Sequence, residues 1–187
     1  DLNRTVEELV ETMEDFRRAG KIRYYGCSNW TTQRMKEADQ YCRKKGYRGF
    51  VANQAMYNIG VAHMKPFSDP TMVVCDEEML AYHRESDNLL IPYMGVCSGF
   101  FHKWKNKGPE AVKDSCYYTE PNLKIAEGIC KLCEEKGWTI TQALLGFFGI
   151  QDFPMLPLAS ASNQNQLKEL NQALTTEFRA EDYEFLK

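Results

Sequence analysis

The stretch I-R-Y-Y-G-C-S-N-W at residues 22–30 is a β-branched and aromatic run that ends abruptly at Gly26 and is followed by polar side chains. A run of this kind favours a buried β-strand. The polar pair Ser28 and Asn29 at its end has two explanations. It is either a plain surface turn or the end of a strand that delivers hydrogen-bonding groups to a ligand.

Helical and strand-like segments alternate along the rest of the chain. Thr5 and Glu8 form a capping-box pattern, which predicts the first helix at 5–19. Further helices are predicted at 31–45, 75–86, 120–136, 139–150 and 163–174, strands at 22–27, 50–55, 89–93 and 155–159, and a polar loop at about 102–118. The strands are short and continuously apolar, which is typical of parallel strands buried on both faces. The sequence therefore predicts an α/β fold with about four parallel βα units.

The composition narrows the class of protein. The chain has 187 residues, of which 43% are hydrophobic and 26% charged, and its net charge of −3 argues against a nucleic-acid binder. No apolar run reaches the roughly 18–20 residues of a membrane span, so no membrane partner is expected. Seven cysteines with irregular spacing indicate reduced thiols and a cytoplasmic location rather than a disulfide framework.

Polar groups follow each predicted strand. They are Ser28 and Asn29, Asn53 and Gln54, Tyr93, and residues 160–163. Because the carboxyl ends of parallel strands meet at one rim, these groups are expected to line a binding site. Ser28, Asn29 and Gln54 offer donors and acceptors that suit a carboxamide, and Tyr93 offers a flat face for stacking.

Two further segments suit phosphate groups. Ser160 to Gln166 lies where the last strand turns into a helix, and a helix N-terminus favours anions. Ser98 and Gly99 follow Tyr93 closely, so the backbone there could approach a pyrophosphate. Taken singly, each of these patterns is common in proteins that bind no nucleotide.

In combination the motifs resemble the aldo-keto reductase family. The matching segments are G-K-I-R-Y-Y-G-C-S-N (20–29), A-N-Q-A-M-Y-N (52–58), L-I-P-Y-M-G-V-C-S-G-F (90–100) and P-L-A-S-A-S-N-Q-N-Q-L-K-E-L (157–170). Their order and separations also agree with the family, and the resemblance runs from residue 5 to about residue 174.

The resemblance implies a (β/α)8 TIM barrel that binds NADP(H) and reduces aldehydes or ketones to alcohols. Carried over residue by residue, it implies that Ser28, Asn29 and Gln54 hold the nicotinamide carboxamide and that Tyr93 stacks on the ring. Ser98 and Gly99 fall near the pyrophosphate, and Ser160, Asn163 and Gln166 fall near the adenosine. Ser162 stands at a position that often holds arginine, so NADP(H) is preferred over NAD(H) only modestly.

The resemblance covers the family's strands five to eight. Residues 1–187 are therefore expected to be the C-terminal part of such a barrel domain, without the N-terminal half that carries the family's catalytic Asp, Tyr, Lys and His. No catalytic residue is assigned, and no metal site. A cloned fragment, a truncated gene and a half-barrel that dimerises remain open. Four strands leave unpaired edges and an uncovered apolar face, which predicts self-association or pairing through those edges.

Two functions stay in competition. One is a carbonyl-reducing enzyme, or its cofactor-binding fragment, that acts on a small carbonyl substrate. The other is a non-catalytic half-barrel that binds a nucleotide or a protein partner. Cys130 and Cys133 have C-x-x-C spacing, but they lie in a predicted helix without a second pair, which favours two structural thiols.

Overall fold

Three parallel strands form the centre of the structure. The computed structural model of the chain describes residues 3–187. Its sheet has the order β1-β2-β3, with β1 at Cys27–Ser28, β2 at Ala52–Met56 and β3 at Leu89–Tyr93. Each strand pairs in parallel with the next, as continuously apolar strands predict. The α/β class is confirmed.

Helices connect and flank these strands. They are α1 (Val6–Arg18), α2 (Thr32–Lys45), α3 (Glu77–Glu85), α4 (Phe100–Lys107), α5 (Glu120–Lys136), α6 (Ile140–Gly149) and α7 (Gln164–Thr175). Short 3-10 turns lie at Val61–His63, Cys97–Gly99, Pro109–Val112 and Ala180–Leu186. Within residues 3–187 we find no helix with the length and apolar content that a membrane crossing requires.

The start of α1 shows how local sequence sets an element. The N–H of Glu8 donates to Thr5 Oγ1 over 3.2 Å, and the Thr5 N–H donates to the Glu8 carboxylate over 2.9 Å. This is the predicted capping box, in which two free N–H groups of the first turn are satisfied reciprocally. The helix packs on α2 through a small core around Val6, Val10 and Ala38.

The predicted fourth strand at 155–159 is wrong as a regular strand. Met155 forms one parallel bridge with Leu90, and the N–H groups of Leu156 and Leu158 donate to carbonyls of β3 over 3.0 and 2.7 Å. Pro157 lies between them and has no N–H to offer on the other side, so the ladder cannot extend outward. The segment nevertheless runs beside β3 and in the same direction.

The first part of the predicted polar loop at 102–118 is also wrong, because α4 occupies Phe100–Lys107. Phe100 and Phe101 are almost fully buried, and their rings meet edge to face at 5.0 Å. The lysines that suggested a loop lie on the exposed side of this helix. Burial of the apolar side therefore outweighs the polar composition of the segment.

The backbone at Gly26 passes close to the backbone at Ala52 on β2, just before β1 begins. A Cβ at Gly26 would lie 2.4 Å from the carbonyl oxygen of Ala52, so only glycine fits. The predicted strand at 22–27 shortens to Cys27–Ser28, and before it the Val51 N–H donates to the Tyr25 carbonyl over 3.0 Å. The chain thus reaches the sheet just before the polar pair of the opening motif.

Candidate functional site

Ser28 and Gln54 lie directly opposite each other in the sheet. They are register partners in the pairing of β1 with β2. Gln54 is in turn the partner of Ile91 on β3. Neither the Ser28 hydroxyl nor the Gln54 amide hydrogen-bonds another side chain in the described part of the chain. Both groups are therefore available to a ligand.

Tyr93 and Asn29 meet across the ends of β3 and β1. The Tyr93 hydroxyl donates to Asn29 Oδ1 over 3.1 Å, and the Val73 N–H donates to the same oxygen over 3.4 Å. Burial raises the pKa of the Tyr93 phenol, so it stays protonated and keeps donating. Asn29 has a left-handed backbone, with φ of 55°, which asparagine tolerates better than most residues. Its Nδ2 remains free to donate.

Asn53 does not belong to this group, contrary to the prediction that Asn53 and Gln54 together end a strand. The strand continues to Met56, and successive residues of a strand face opposite sides. Asn53 is completely buried, with its Nδ2 3.1 Å from His83 Nε2 and its Oδ1 3.6 Å from Cys27 Sγ. Its role is structural.

The loop after Tyr93 has an unusual backbone. Met94, Cys97, Ser98 and Gly99 all have positive φ values, between 52° and 75°. Such angles are uncommon for residues other than glycine and mark a tightly constrained turn. Ser98 is exposed and Gly99 half-buried, and Gly99 directly precedes α4.

Asn58 holds this loop in place, a role that the strand-end pattern did not predict. Its Nδ2 donates to the Met94 carbonyl over 3.1 Å and to the Tyr117 hydroxyl over 2.9 Å, and its Oδ1 accepts from the Gly60 N–H. Asn58 is fully buried. The sequence signal that could have identified Asn58 is its position as the last residue of the A-N-Q-A-M-Y-N motif.

The remaining predicted residues lie at the start of α7. Asn163 caps this helix by accepting from the Gln166 N–H over 3.0 Å, and Gln166 Oε1 accepts from the Ser162 N–H over 2.7 Å. Ser160 precedes this turn, and all these residues are exposed. Because residues 155–158 run beside β3, Ser160 follows at the end of the sheet where Tyr93 lies.

Two cavities lie near the strand ends. One, of about 420 Å³, includes Ser28 and Asn29 in its lining. The other, of about 780 Å³, lies beyond the end of β2 and is lined by none of the nine predicted site residues. The structure thus gathers Ser28, Asn29, Gln54 and Tyr93 by pairing and hydrogen bonding, and it sets the start of α7 apart from them.

The thiols near the site are buried. Burial raises the pKa of Cys27 to about 12 and also raises that of Cys97, so both are protonated at neutral pH. Cys130 and Cys133 lie on α5, half-buried and buried. No disulfide joins the seven cysteines in the described chain.

Comparisons with known proteins agree with this architecture. The chain is 26% identical over 152 residues to norsolorinic acid reductase B of Dothistroma septosporum, covering 79% of this chain and 36% of that protein. It is 21% identical over 196 residues to a probable aryl-alcohol dehydrogenase of Saccharomyces cerevisiae, covering 100% of this chain and 56% of the relative. The chain thus spans roughly a third to just over half of the length of these relatives.

A solved structure shows the same fold. The crystal structure of a thermostable aldo-keto reductase in complex with epalrestat matches with a TM-score of 0.68 at 20% identity, covering 100% of this chain and 55% of that one. The three-stranded parallel sheet with its helices is therefore part of a TIM-barrel architecture. The model of the Aldo/keto reductase family matches residues 1–187. The chain belongs to the aldo/keto reductase family.

Proposed function

We propose that this chain binds a nicotinamide dinucleotide at the ends of its strands, as the cofactor-binding part of an enzyme that reduces aldehydes or ketones to alcohols. The observation that carries the proposal is that four polar side chains converge near the carboxyl ends of the parallel strands. They are Ser28, Asn29, Gln54 and Tyr93. Family membership supports oxidoreductase chemistry. The relatives named a reductase and an aryl-alcohol dehydrogenase support the same class of reaction.

The hydrogen-bonding groups at this edge fit a carboxamide. A carboxamide has one carbonyl acceptor and two N–H donors. Ser28 and Gln54 each offer both a donor and an acceptor, and Asn29 offers its Nδ2 because its Oδ1 is already engaged. When bound, a reduced nicotinamide supplies a hydride to the carbonyl carbon.

Tyr93 has two tasks in this proposal. Its ring provides the stacking face, and its hydroxyl fixes the orientation of Asn29. The raised pKa of the phenol keeps this hydrogen bond intact at neutral and mildly alkaline pH. The backbone of Tyr93 is fixed in β3, and its hydroxyl is fixed by the hydrogen bond to Asn29. A ring fixed in this way can orient the nicotinamide without a further movement, which favours hydride transfer.

The proposal assigns no general acid to this chain. Protonation of a carbonyl oxygen needs a donor within hydrogen-bonding reach of that oxygen. Tyr93, the phenol at the strand ends, is engaged with Asn29 and has a raised pKa. We therefore expect the 187 residues alone to show weak or absent turnover of a simple aldehyde. Robust NADPH-dependent reduction would overturn this part of the proposal.

The cofactor proposal is tested by titrating the protein with NADPH and with NADH while following nicotinamide fluorescence. We expect saturable binding, with NADPH modestly preferred. Replacing Gln54 with Ala removes hydrogen bonds to the carboxamide and should weaken binding by about three- to tenfold. Gln40→Ala, on the exposed face of α2, is the matched control and should leave affinity unchanged. Absence of saturable binding would refute the proposal.

A second candidate function is that of a protein-interaction module, because apolar side chains on and near the segment 155–159 are exposed. Leu156, Leu158 and Leu174 are 57%, 46% and 84% exposed. Scattered exposed leucines are normal in proteins. Leu156 and Leu158, however, lie on a segment that forms backbone hydrogen bonds to β3 on one side only. We expect self-association at micromolar concentration. A compact monomer in analytical ultracentrifugation would exclude this candidate.

A further inference from the structure

The smaller cavity beside β1 adjoins the position proposed for the nicotinamide carboxamide and shares Ser28 and Asn29 with it. It has a volume of about 420 Å³, which lies in the range of small-molecule sites. Its walls are the turn between β1 and α2 and the segment around residue 71. The lining residues are Ser28, Asn29, Trp30, Thr31, Arg34, Pro70, Thr71 and Val73.

Arg34 gives this cavity a positive charge that no carboxylate neutralises within residues 3–187. Its guanidinium donates to the backbone carbonyl of Arg4 over 3.2 Å and lies 4.7 Å from the centre of the Trp30 ring. Its Nε is buried and has no hydrogen-bond acceptor in the described chain. The guanidinium charge thus has no partner of opposite sign among residues 3–187, and an anion in the cavity would supply one.

The other polar side chains in the lining are uncharged: one amide, Asn29, and the hydroxyls of serine and threonine. Asn29 Oδ1 already accepts from Tyr93 and Val73, so its Nδ2 is the free group. The Ser28 hydroxyl makes no hydrogen bond in the described chain. No Asp or Glu is among the eight lining residues, although the whole chain is acidic. With Arg34 as the one charged residue among the eight, the lining favours a ligand with negatively charged oxygens.

The carboxylate of Asp69, next to the lining residue Pro70, is turned towards its own loop. Asp69 accepts from the Thr71 N–H over 2.9 Å and from the Thr71 hydroxyl over 2.7 Å. These hydrogen bonds hold the pKa of Asp69 below its usual range, so it stays charged. Thr71 lies between this carboxylate and the cavity, and its hydroxyl proton is already used.

We propose that this cavity binds the anionic group of a small organic molecule, a carboxylate or a phosphate, with Arg34 as the charge partner. The ring of Trp30 and the side chain of Val73 provide an apolar wall for the body of the ligand. This inference rests on the proposed function, because the anion is assigned to the substrate or to the cofactor of that reaction. Ser28 and Asn29 border both places, so an anion here would lie beside the nicotinamide, as the acid group of a carbonyl substrate or as a phosphate of the cofactor.

The test uses para-fluorobenzoate as the probe and fluorine NMR as the measurement. We expect saturable binding to the wild-type chain, weakened by added salt because the interaction is between charges. Neutral para-fluorobenzamide should bind at least about tenfold more weakly, since it lacks the charge. Equal binding of the acid and the amide would overturn the proposal, as would the absence of binding.

Variants locate the effect. Arg34→Ala should weaken para-fluorobenzoate binding by about tenfold or more, and Arg34→Lys should recover part of it because the charge remains. Arg48→Ala is the matched control, because Arg48 lies 4.9 Å from the Tyr24 ring in a similar stacked arrangement away from the cavity. Equal effects of Arg34→Ala and Arg48→Ala would refute the site. The salt and amide comparisons use the wild-type chain and stand even if a variant folds poorly.

Competition separates the two sources of the anion and the two proposals. Binding of para-fluorobenzoate in the presence of saturating NADPH assigns the cavity to the substrate. Displacement by NADPH and by inorganic phosphate assigns it to a cofactor phosphate. Binding of NADPH without binding of para-fluorobenzoate or phosphate refutes the anion site alone. Binding of the probe without NADPH binding refutes the cofactor proposal alone.

Discussion

The Tyr93 hydroxyl donates to Asn29 Oδ1 over 3.1 Å, although 64 residues separate the two in the chain. The same Asn29 oxygen accepts from the Val73 N–H, so one side chain after β1 joins the end of β3 to the segment that contains Val73. Asn29 holds this position with a left-handed backbone. The strand ends are thus fixed relative to one another before any ligand arrives, which lowers the entropic cost of binding.

Two substitutions at Tyr93 separate stacking from hydrogen bonding. Tyr93→Phe keeps the ring and loses the bond to Asn29, so NADPH affinity should fall by less than about fivefold. Tyr93→Ala removes the ring as well and should cost about tenfold or more. Isothermal titration with NADPH measures both. A larger loss for Phe than for Ala would contradict the stacking role.

Two glycines of α6 should respond in opposite directions to alanine. A Cβ at Gly146 would lie 2.3 Å from both the Phe178 ring and the Tyr183 hydroxyl, whereas at Gly149 the nearest atom is 3.5 Å away, in Phe178. Gly146→Ala should therefore lower the free energy of unfolding by about 1–3 kcal/mol. Gly149→Ala should be neutral or slightly stabilising, since alanine favours helix. Urea denaturation of both variants checks this, and equal effects would contradict the packing.

His83 should make stability depend on pH. Its Nδ1 lies 2.8 Å from the Asn88 carbonyl oxygen, which can only accept, so Nδ1 carries the proton and Nε2 accepts from Asn53. Burial lowers the pKa of His83, so the folded chain binds fewer protons than the unfolded chain. Stability should consequently fall as pH drops below about 6.5, the value for unfolded histidine.

The measurement is the urea midpoint at several pH values between about 7.5 and about 5.5. His83→Gln should flatten part of the decline, and the rest is expected from His102, whose pKa burial also lowers. Gln40→Ala, on the exposed face of α2, should leave the pH dependence as it is in the wild type. A His83→Gln variant with the wild-type slope would show that His83 is not the source.

Glu14 should be the carboxylate of α1 on which stability depends most. It is completely buried and accepts from the Tyr25 hydroxyl over 2.8 Å and from Arg17 Nε over 2.9 Å. Burial disfavours its charge, yet the hydrogen bonds from Arg17 and Tyr25 prevail and lower its pKa. Glu14→Ala removes the carboxylate that accepts from the buried Tyr25 hydroxyl and should cost about 2–4 kcal/mol in urea denaturation. The exposed Glu7→Ala should cost less than about 0.5 kcal/mol, and similar losses would contradict the account.

The elements that the sequence predicted well are those that depend on local rules. Thr5 and Glu8 form the predicted capping box, and Gly46 ends α2 in a left-handed conformation as a C-cap glycine should. The parallel strands were predicted because they lack two-residue alternation. The order of motifs also indicated the family that the comparisons support.

The predictions from sequence were wrong where contacts between distant parts of the chain determine the local structure. Phe100 and Phe101 convert a lysine-rich segment into a helix, because their burial outweighs its polar composition. The last predicted strand contributes a single bridge and two hydrogen bonds to β3, and Pro157 offers no N–H to a further strand on its other side. At the candidate site the sequence grouped Gln54 with Asn53 at the end of a strand. In the structure β2 continues to Met56, and Asn53 faces the other side of the strand from Gln54.

Arg34 was missed for a different reason. It lies in an ordinary helical pattern, three residues after the N-cap Thr31, and nothing in its immediate sequence sets it apart. Its place in the cavity becomes evident only when the fold brings the segment around residue 71 beside it. Sites formed between loops that are distant in sequence are generally invisible to motif analysis.

The central claim is that the four strand-end residues hold the nicotinamide ring, and nuclear Overhauser contacts test it most directly. The measurement uses the wild-type chain with isotope-labelled tyrosine and saturating NADPH. We predict contacts between the nicotinamide ring protons and the ring protons of Tyr93, assigned with Tyr93→Phe, in which they are lost from the tyrosine spectrum. Saturable NADPH binding whose nicotinamide contacts exclude Tyr93 would contradict the account.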